Sequence, residues 1–181
     1  NQIVDVFLPE SGLCSGDVNV EVLASGDSTT ATYNSNLPNV QLKIFSATTK
    51  PIYNLNVNGG LRSLEFSNVD FTRADAFCVL IDNSSAYQSS PVMVTMSNCT
   101  FSGNYRGISV YGPTTVYIAD TNFNTTANTV IAAYYGARVF THDITASNGD
   151  VVARYGGEIV YDGTFAGGST TASEAGRVTA A

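Results

Sequence analysis

The side chains in this sequence best suited to acid–base chemistry are its one histidine and several aspartates at similar spacings. His142 lies 20 residues before Asp162, and Asp120 lies 23 residues before Asp143. A histidine held beside a carboxylate can move protons to and from a substrate, and two carboxylates can act as the acid and the base of glycoside cleavage. Both pairs also have a structural interpretation, because aspartate stabilises bends and a surface histidine often has an aspartate neighbour. No nucleophile or third carboxylate aligns with His142 and Asp162.

Metal and cofactor sites are not predicted. One histidine and three widely spaced cysteines without a CxxC pair offer too few ligands for zinc. Asp70, Asp75 and Asp82 could supply oxygens to calcium, but they fall on different predicted strands and turns that diverge. Cys78 and Cys99 lie in apolar, strand-like segments, where a free thiol packs as a small apolar side chain.

The excess of acidic over basic residues argues against two classes of binding partner. The 181 residues carry 15 acidic and 8 basic side chains, giving a net charge of −7 and a pI of about 4.4. Nucleic-acid binding and attachment to an anionic membrane both need a basic surface, so neither is expected. No apolar run is long enough for a transmembrane helix or a signal-peptide core. The chain begins at Asn1, which we interpret as a processed form or a fragment of a longer protein.

A short repeat sets the spacing of these side chains. Five copies align without gaps, and they begin at the aliphatic residues Leu64, Val94, Val116, Val139 and Ile159. Fainter copies at Val20 and Leu42 extend the pattern toward the N-terminus. The fifth position is always Asn, Asp or Gly, which tolerate a positive φ, so each copy is predicted to form a strand, a sharp bend and a second strand. The five bend residues are Asn68, Asn98, Asp120, Asp143 and Gly163.

A third short apolar segment follows each of the first four copies, at 77–81, 108–110, 130–133 and 151–153. Three short strands in about 22 residues are typical of one coil of a parallel β-helix. The sequence therefore predicts an all-β fold with three short strands per coil and about six coils. Residues 1–40 are predicted to form an N-terminal cap and a first irregular coil, and residues 41–181 the β-helix.

Stacking of the coils predicts which side chains meet. Phe71, Phe101 and Phe123 share the eighth position and should form an internal aromatic stack, while Asn68 and Asn98 should form a ladder at the bend. The predicted core contains Leu64, Phe66, Val69, Phe71, Val94, Met96, Cys99, Phe101, Val116, Ile118, Phe123, Val139 and Ile144.

Two groups of side chains are predicted to face outward. The second position of the repeat becomes apolar toward the C-terminus. Another subunit, a long loop or the chain's own terminal segment could cover such a stripe, and we expect another subunit. An Arg138–Glu158 ion pair should lie beside the stripe. Tyrosines before the next coil could stack on sugar rings, although tyrosine also commonly ends strands. The predicted interface residues are Tyr117, Phe140 and Val160, and the predicted glycan-binding residues are Tyr111, Tyr135, Tyr155 and Tyr105.

The segment VTMSNCTFSGNYRGISVYG at 94–112 resembles the repeat of right-handed parallel β-helix proteins in the pectin-lyase-like superfamily. The resemblance is clear over 61–166 and faint over 18–60. It implies a right-handed β-helix. The superfamily includes polysaccharide lyases, glycoside hydrolases, bacterial surface adhesins and bacteriophage tailspikes, so the fold alone does not transfer a reaction.

Three functions are compatible with this resemblance. The first is a structural, receptor-binding module of a phage tail spike or tail fibre, a homotrimer in the virion or extracellular space that binds host surface glycans. The second is a carbohydrate-active enzyme, a polysaccharide lyase or glycoside hydrolase, with His142, Asp162, Asp143 and Asp120 as its candidate catalytic residues. The third is a secreted bacterial adhesin. We expect the first, because the surface is rich in Ser, Thr, Asn and Gly and no catalytic cluster converges in the sequence.

Overall fold

The structure, a computed structural model, describes residues 16–21, 30–34, 37–52, 54–58, 61–71, 77–83, 92–102, 106–124, 129–165 and 169–181. These residues form nineteen β-strands and no helix. In chain order the strands are β1 (Gly16–Glu21), β2 (Thr30–Asn34), β3 (Leu37–Ile52), β4 (Asn54–Asn58), β5 (Leu61–Phe71), β6 (Phe77–Asp82), β7 (Val92–Ser97), β8 (Thr100–Phe101), β9 (Arg106–Tyr111), β10 (Thr114–Ala119), β11 (Asn122–Phe123), β12 (Thr129–Tyr134), β13 (Arg138–His142), β14 (Ile144–Ala146), β15 (Asp150–Arg154), β16 (Glu158–Tyr161), β17 (Gly163–Phe165), β18 (Thr170–Ser173) and β19 (Arg177–Ala180).

The strands form two parallel sheets. The smaller sheet stacks seven strands in the order β18-β15-β12-β9-β6-β4-β2. The larger sheet has twelve strands, with β5 joined to both β7 and β8, so it contains the first and second strands of each coil. Neighbours within a sheet come from successive coils, which makes the chain a parallel β-solenoid. The predicted all-β parallel β-helix is confirmed, and the smaller sheet indicates seven coils instead of about six.

Two strands from residues 1–40 belong to these sheets. β1 pairs with β3, which places Val18 opposite Leu42 and Val20 opposite Ile44, and β2 pairs with β4. The first interval of the repeat therefore runs from Val18 to Leu42 and is two residues longer than the interval predicted from Val20 to Leu42. The alignment of Val20 with Leu42 was wrong. Residues 37–40 begin β3, the rest of 1–40 lies outside the described residues, and the predicted cap and its boundary stay predictions.

Four of the five predicted bend residues lie in the left-handed region, whereas the prediction for Gly163 was wrong because Gly163 begins β17. φ is 56° at Asn68, 51° at Asn98, 49° at Asp120 and 50° at Asp143. Asn and Asp adopt this conformation at lower cost than other side chains, which explains their choice at the bend. The side-chain Nδ2 of Asn98 donates a hydrogen bond to Oδ1 of Asn68, so the predicted asparagine ladder is confirmed.

The thirteen side chains predicted for the core are each at most 1% exposed. Phe101 stacks between Phe71 and Phe123, with ring centroids 5.0 and 4.6 Å away. Cys99 packs in this core, and burial raises the pKa of its thiol to about 11. The thiol therefore stays protonated and apolar at neutral pH, as its predicted structural role requires.

The repeat alignment was wrong in the last coil. Strand β14 pairs with β17 so that Ile144 lies opposite Gly163 and Ala146 opposite Phe165, whereas the gapless alignment matched Ala146 with Ala166. The last bend is therefore one residue shorter. Asp162, directly before β17, takes the place of a bend residue, and its backbone N–H donates to Oγ1 of Thr141 at 3.0 Å.

Candidate functional site

Several of the candidate site residues project from one side of the larger sheet. Along β13, Val139 and Thr141 point into the core while Arg138, Phe140 and His142 point outward, as the two-residue period of a strand requires. We call the solvent-facing side of β7, β10, β13 and β16 the outer face. Because the strands are in register, equivalent outward residues of successive coils form columns.

One column ends in a group of three ionisable side chains, here called the His142 cluster: His142, Asp143 and Asp162. His142 Nδ1 donates to Oδ2 of Asp162 at 2.9 Å, and His142 Nε2 lies 3.3 Å from Oδ2 of Asp143. Their side chains are 70%, 67% and 45% exposed, respectively. The structure thus brings together three of the four predicted catalytic candidates, and it adds Asp143 to a pair predicted as His142 and Asp162 alone.

Three local features hold this cluster. His142 ends β13, Asp143 follows it in the left-handed bend, and Asp162 is held from the next coil by Thr141. Thr141 stands at the third position of the repeat, where the earlier copies have Phe66, Met96 and Ile118. Its hydroxyl explains the exception, because it accepts the backbone N–H of Asp162 from inside the coil.

The carboxylates raise the pKa of His142. The hydrogen bond to Asp162 has the largest effect, followed by the charge of Asp143. Both favour the imidazolium, which can donate from its two nitrogens to the two carboxylates at once. Asp120 lies one coil away in the bend column and adds a smaller charge effect.

A second outward column contains the predicted interface residues, here called the apolar stripe: Tyr117, Phe140 and Val160. They lie opposite one another in successive strands, and the rings of Tyr117 and Phe140 stack with centroids 5.3 Å apart. Tyr117 is 47% exposed. Beside the stripe, Arg138 Nε lies 3.6 Å from Glu158 Oε2, which confirms the predicted ion pair, although its solvent exposure makes it weak.

Two of the four predicted glycan-binding tyrosines, Tyr135 and Tyr155, lie in the turns between the smaller sheet and the next coil. Tyr135 and Gly136 have φ of 54° and 83°, and Tyr155 and Gly156 have φ of 51° and 78°. Each turn is closed by a backbone hydrogen bond across it, Ala137 N–H to Tyr134 and Gly157 N–H to Arg154. Two positive φ values in a four-residue turn are typical of type I′, whose first central residue is usually Asn, Asp or Gly.

These turns create an exposed pair of parallel rings, here called the tyrosine ladder: Tyr135 and Tyr155. Their centroids are 4.8 Å apart with 5° between the planes, and they are 52% and 45% exposed. The 4.8 Å separation matches the spacing of about 4.7–4.9 Å between neighbouring strands of a sheet, so the two rings repeat at the period of the coils. Because each residue is about half exposed, part of the surface of each ring is open to solvent.

Tyr111 does not occupy the equivalent turn position. It lies opposite Tyr134 in the smaller sheet, stacks on that ring at 4.7 Å and is 6.2 Å from Tyr135. Tyr134 therefore joins Tyr111 and Tyr135 in one aromatic group. The search for Tyr-Gly pairs missed Tyr134, although it directly precedes Tyr135 in the sequence. Tyr105 lies outside the described residues.

Neighbouring groups raise the pKa of two of these tyrosines, Tyr111 and Tyr155. The pKa of Tyr155 is raised by the charge of Glu174 and by a hydrogen bond to its carboxylate. Glu174 has φ of 54° in the turn of the next coil, so the ladder ends in a carboxylate. Burial, followed by the neighbouring Tyr134, raises the pKa of Tyr111. These hydroxyls therefore remain hydrogen-bond donors at neutral pH.

Asp70 and Asp82, which the sequence analysis weighed as calcium ligands, lie on β5 and β6 in different sheets. Asp70 accepts a hydrogen bond from the Ser102 hydroxyl at 2.7 Å. Asp75 lies outside the described residues.

Comparison with known proteins gives a family for this fold. No curated protein and no solved structure matches the chain significantly. Within the part of the chain that the structure describes, no helix is long and apolar enough to cross a membrane. The family described as "Right handed beta helix region" matches residues 53–167, which include the His142 cluster, the apolar stripe and the tyrosine ladder. The chain therefore belongs to the right-handed β-helix family.

Proposed function

We propose that this chain is a glycan-binding, non-catalytic module of a bacteriophage tail spike or tail fibre, acting at the virion surface or elsewhere outside the cell. The exposed tyrosine ladder carries this proposal. Exposed amphipathic rings suit sugars, which have both apolar C–H faces and hydrogen-bonding groups. The chain's resemblance to tailspikes and its low share of charged residues, 13%, favour a surface glycan as the partner.

The backbone of the ladder supports a functional role for the rings. A bulky residue in the left-handed region costs about 1–2 kcal/mol, and Asn would form the same turn at a lower cost. Two successive coils nevertheless have tyrosine there. Strained residues of this kind are concentrated at functional sites, because selection for the side chain can outweigh the cost in stability.

Replacing both tyrosines of the ladder with asparagine tests the proposal. We expect Tyr135→Asn, Tyr155→Asn to weaken binding to a recognised polysaccharide by about tenfold or more, as removal of an aromatic anchor usually does. Stability should stay within about 1 kcal/mol of the parent, because relief of the turns offsets lost ring stacking of about 0.5–1.5 kcal/mol. Binding would be measured on a panel of bacterial capsular and O-antigen polysaccharides, and stability by urea unfolding.

Met93→Gln is the matched control. Met93 is 48% exposed on the outer face, so this change removes an exposed apolar side chain of another region and should leave binding unchanged. Equal binding by the double variant, or the absence of binding to every polysaccharide of the panel, would contradict the proposal.

The apolar stripe suggests that the module functions as a homotrimer. Arg138 and Arg177 both lie opposite Glu158 on one side of the stripe, and the carboxylates of the His142 cluster lie on the other. In a cyclic trimer, unlike sides of neighbouring copies meet, which would join these opposite charges around the apolar stripe.

Light scattering coupled to size exclusion tests the trimer. We expect a mass near three times 19.1 kDa, and dissociation when Tyr117 and Phe140 are both replaced with serine. A monomeric parent, or a trimer that persists in the double variant, would exclude the stripe as the interface.

A carbohydrate-active enzyme is the second candidate, and the 2.9 Å contact between His142 and Asp162 is the observation that favours it. This pair could donate and accept protons at a glycosidic oxygen. The binding samples therefore also serve as an activity test. Shortening of the polysaccharide that is lost in His142→Ala, Asp162→Asn would support the enzyme, whereas intact polysaccharide supports a binding module.

A further inference from the structure

We propose that His142, Asp143 and Asp162 bind one divalent transition-metal ion of the Zn²⁺ or Co²⁺ type, through one imidazole nitrogen and one oxygen of each carboxylate. This site is independent of the proposed glycan-binding role. Imidazole nitrogen with carboxylate oxygen is a donor set that zinc and its neighbours in the first transition series favour.

The ligand atoms of the cluster lie near enough to one another to converge on one ion after rotation of a side chain. Metal–nitrogen and metal–oxygen bonds of about 2.0–2.2 Å place neighbouring ligand atoms about 3–3.5 Å apart. The two carboxylates contact different ring nitrogens, with 2.9 Å from His142 Nδ1 to Asp162 Oδ2 and 3.3 Å from Nε2 to Asp143 Oδ2, so an ion bound to one nitrogen keeps one of these neighbours in place and the other carboxylate turns toward it. One ion uses one ring nitrogen, and one ligand atom from each residue already lies within 4.8 Å of the others.

The remaining adjustment is small because the backbone already holds the ligands. The bend fixes Asp143 beside His142, and Thr141 holds the backbone of Asp162 in the next coil. The ligand side chains themselves are largely exposed, so their outer torsions can rotate without disturbing the core. Their exposure also leaves the other coordination positions open to water, as in zinc sites with three protein ligands.

Comparison of the bends within the chain gives a second argument. Asn68 and Asn98 form a neutral, hydrogen-bonded ladder, whereas Asp120 and Asp143 stand at the same position with nearly the same φ. The backbone therefore requires no charge there, and two stacked carboxylates repel each other. Asp162 brings a third carboxylate to the next coil. Negative charge thus accumulates in the coils that flank the histidine, where a cation offsets it.

Cobalt titration of metal-free protein tests the site. We expect one Co²⁺ ion per chain by calorimetry, with visible absorption of a nitrogen- and oxygen-ligated ion and displacement by Zn²⁺. His142→Ala, Asp143→Asn and Asp162→Asn should each weaken binding by about tenfold or more, since each removes a ligand. Asp120→Asn is the charge-matched control in the neighbouring bend and should change the affinity by less than about threefold, because a nearby charge acts only through space.

A second measurement reports on the ligand directly. The chain has one histidine, so its imidazole NMR signals are unambiguous, and Zn²⁺ should shift them at one equivalent. Unshifted signals, binding that survives all three variants, or absorption from cobalt–thiolate charge transfer would overturn the proposal, the last by assigning the ion to cysteine. Asparagine is tolerated in the bend, as Asn68 and Asn98 show, so Asp143→Asn keeps the test valid if another variant misfolds.

Discussion

Replacing Phe101 with alanine is expected to lower the free energy of unfolding by about 4 kcal/mol, since removal of a buried phenyl ring typically costs about 3–5 kcal/mol. Phe101 is fully buried. The variant also loses two ring contacts, to Phe71 at 5.0 Å and to Phe123 at 4.6 Å. The coils cannot close the resulting cavity, because parallel strand pairing on both sides holds their spacing.

Urea unfolding would measure this effect, and Phe123→Ala is the matched comparison. Phe123 is equally buried but lies opposite Ala146 on its other side. It should therefore cost about 1 kcal/mol less than Phe101→Ala, the value of one aromatic pair. A loss below about 1 kcal/mol for Phe101→Ala would show that the stack contributes little to the core.

Gly157→Ala is expected to destabilise the protein by about 3 kcal/mol, because its new methyl group meets backbone. A Cβ at Gly157 would lie 2.2 Å from the carbonyl oxygen of Ala133 and 2.6 Å from its carbon. These atoms belong to the preceding coil. The surrounding hydrogen bonds, Glu158 N–H to Ala137 at 2.8 Å and Arg177 N–H to Gly157 at 2.8 Å, join three coils, so one coil cannot shift alone.

The adjacent glycine is the control. Gly156 has φ of 78° and open space where its Cβ would be, so Gly156→Ala costs only the left-handed conformation, about 1 kcal/mol. Thermal and urea unfolding should both rank Gly157→Ala as the more damaging change. The reverse order, or equal losses, would show that the coils can separate enough to accept a methyl group.

Much of the fold could be predicted because, in a solenoid, residues at the same position of successive repeats lie next to each other. The aliphatic starts of the repeat and the Phe column recur at one position of successive coils, and stacking of the coils brings equal positions into contact. Phe71, Phe101 and Phe123 are therefore stacked in the structure as the spacing predicted. The family match over 53–167 supports the same hand and architecture.

The candidate sites depended on details that the repeat alone does not contain. Asp162 reaches the His142 cluster through a bend shortened by one residue, which the gapless alignment could not show. Tyr134 was missed because Tyr111 pairs with it in the sheet and not with Tyr135. In both cases a shift of one residue changes which side chains meet.

The sequence by itself determined the class of fold, the inward and outward faces and the positions of four of the five bends. These follow from local conformational preference and from the alternation of apolar residues, which act within one coil. Only the tertiary structure decided that Asp143 and Asp162 flank the same imidazole, and that Gly157 cannot carry the methyl group that Ala137 has in the preceding turn. The physical reason is that contacts between coils depend on register and on small differences in distance, which the type and spacing of residues do not specify.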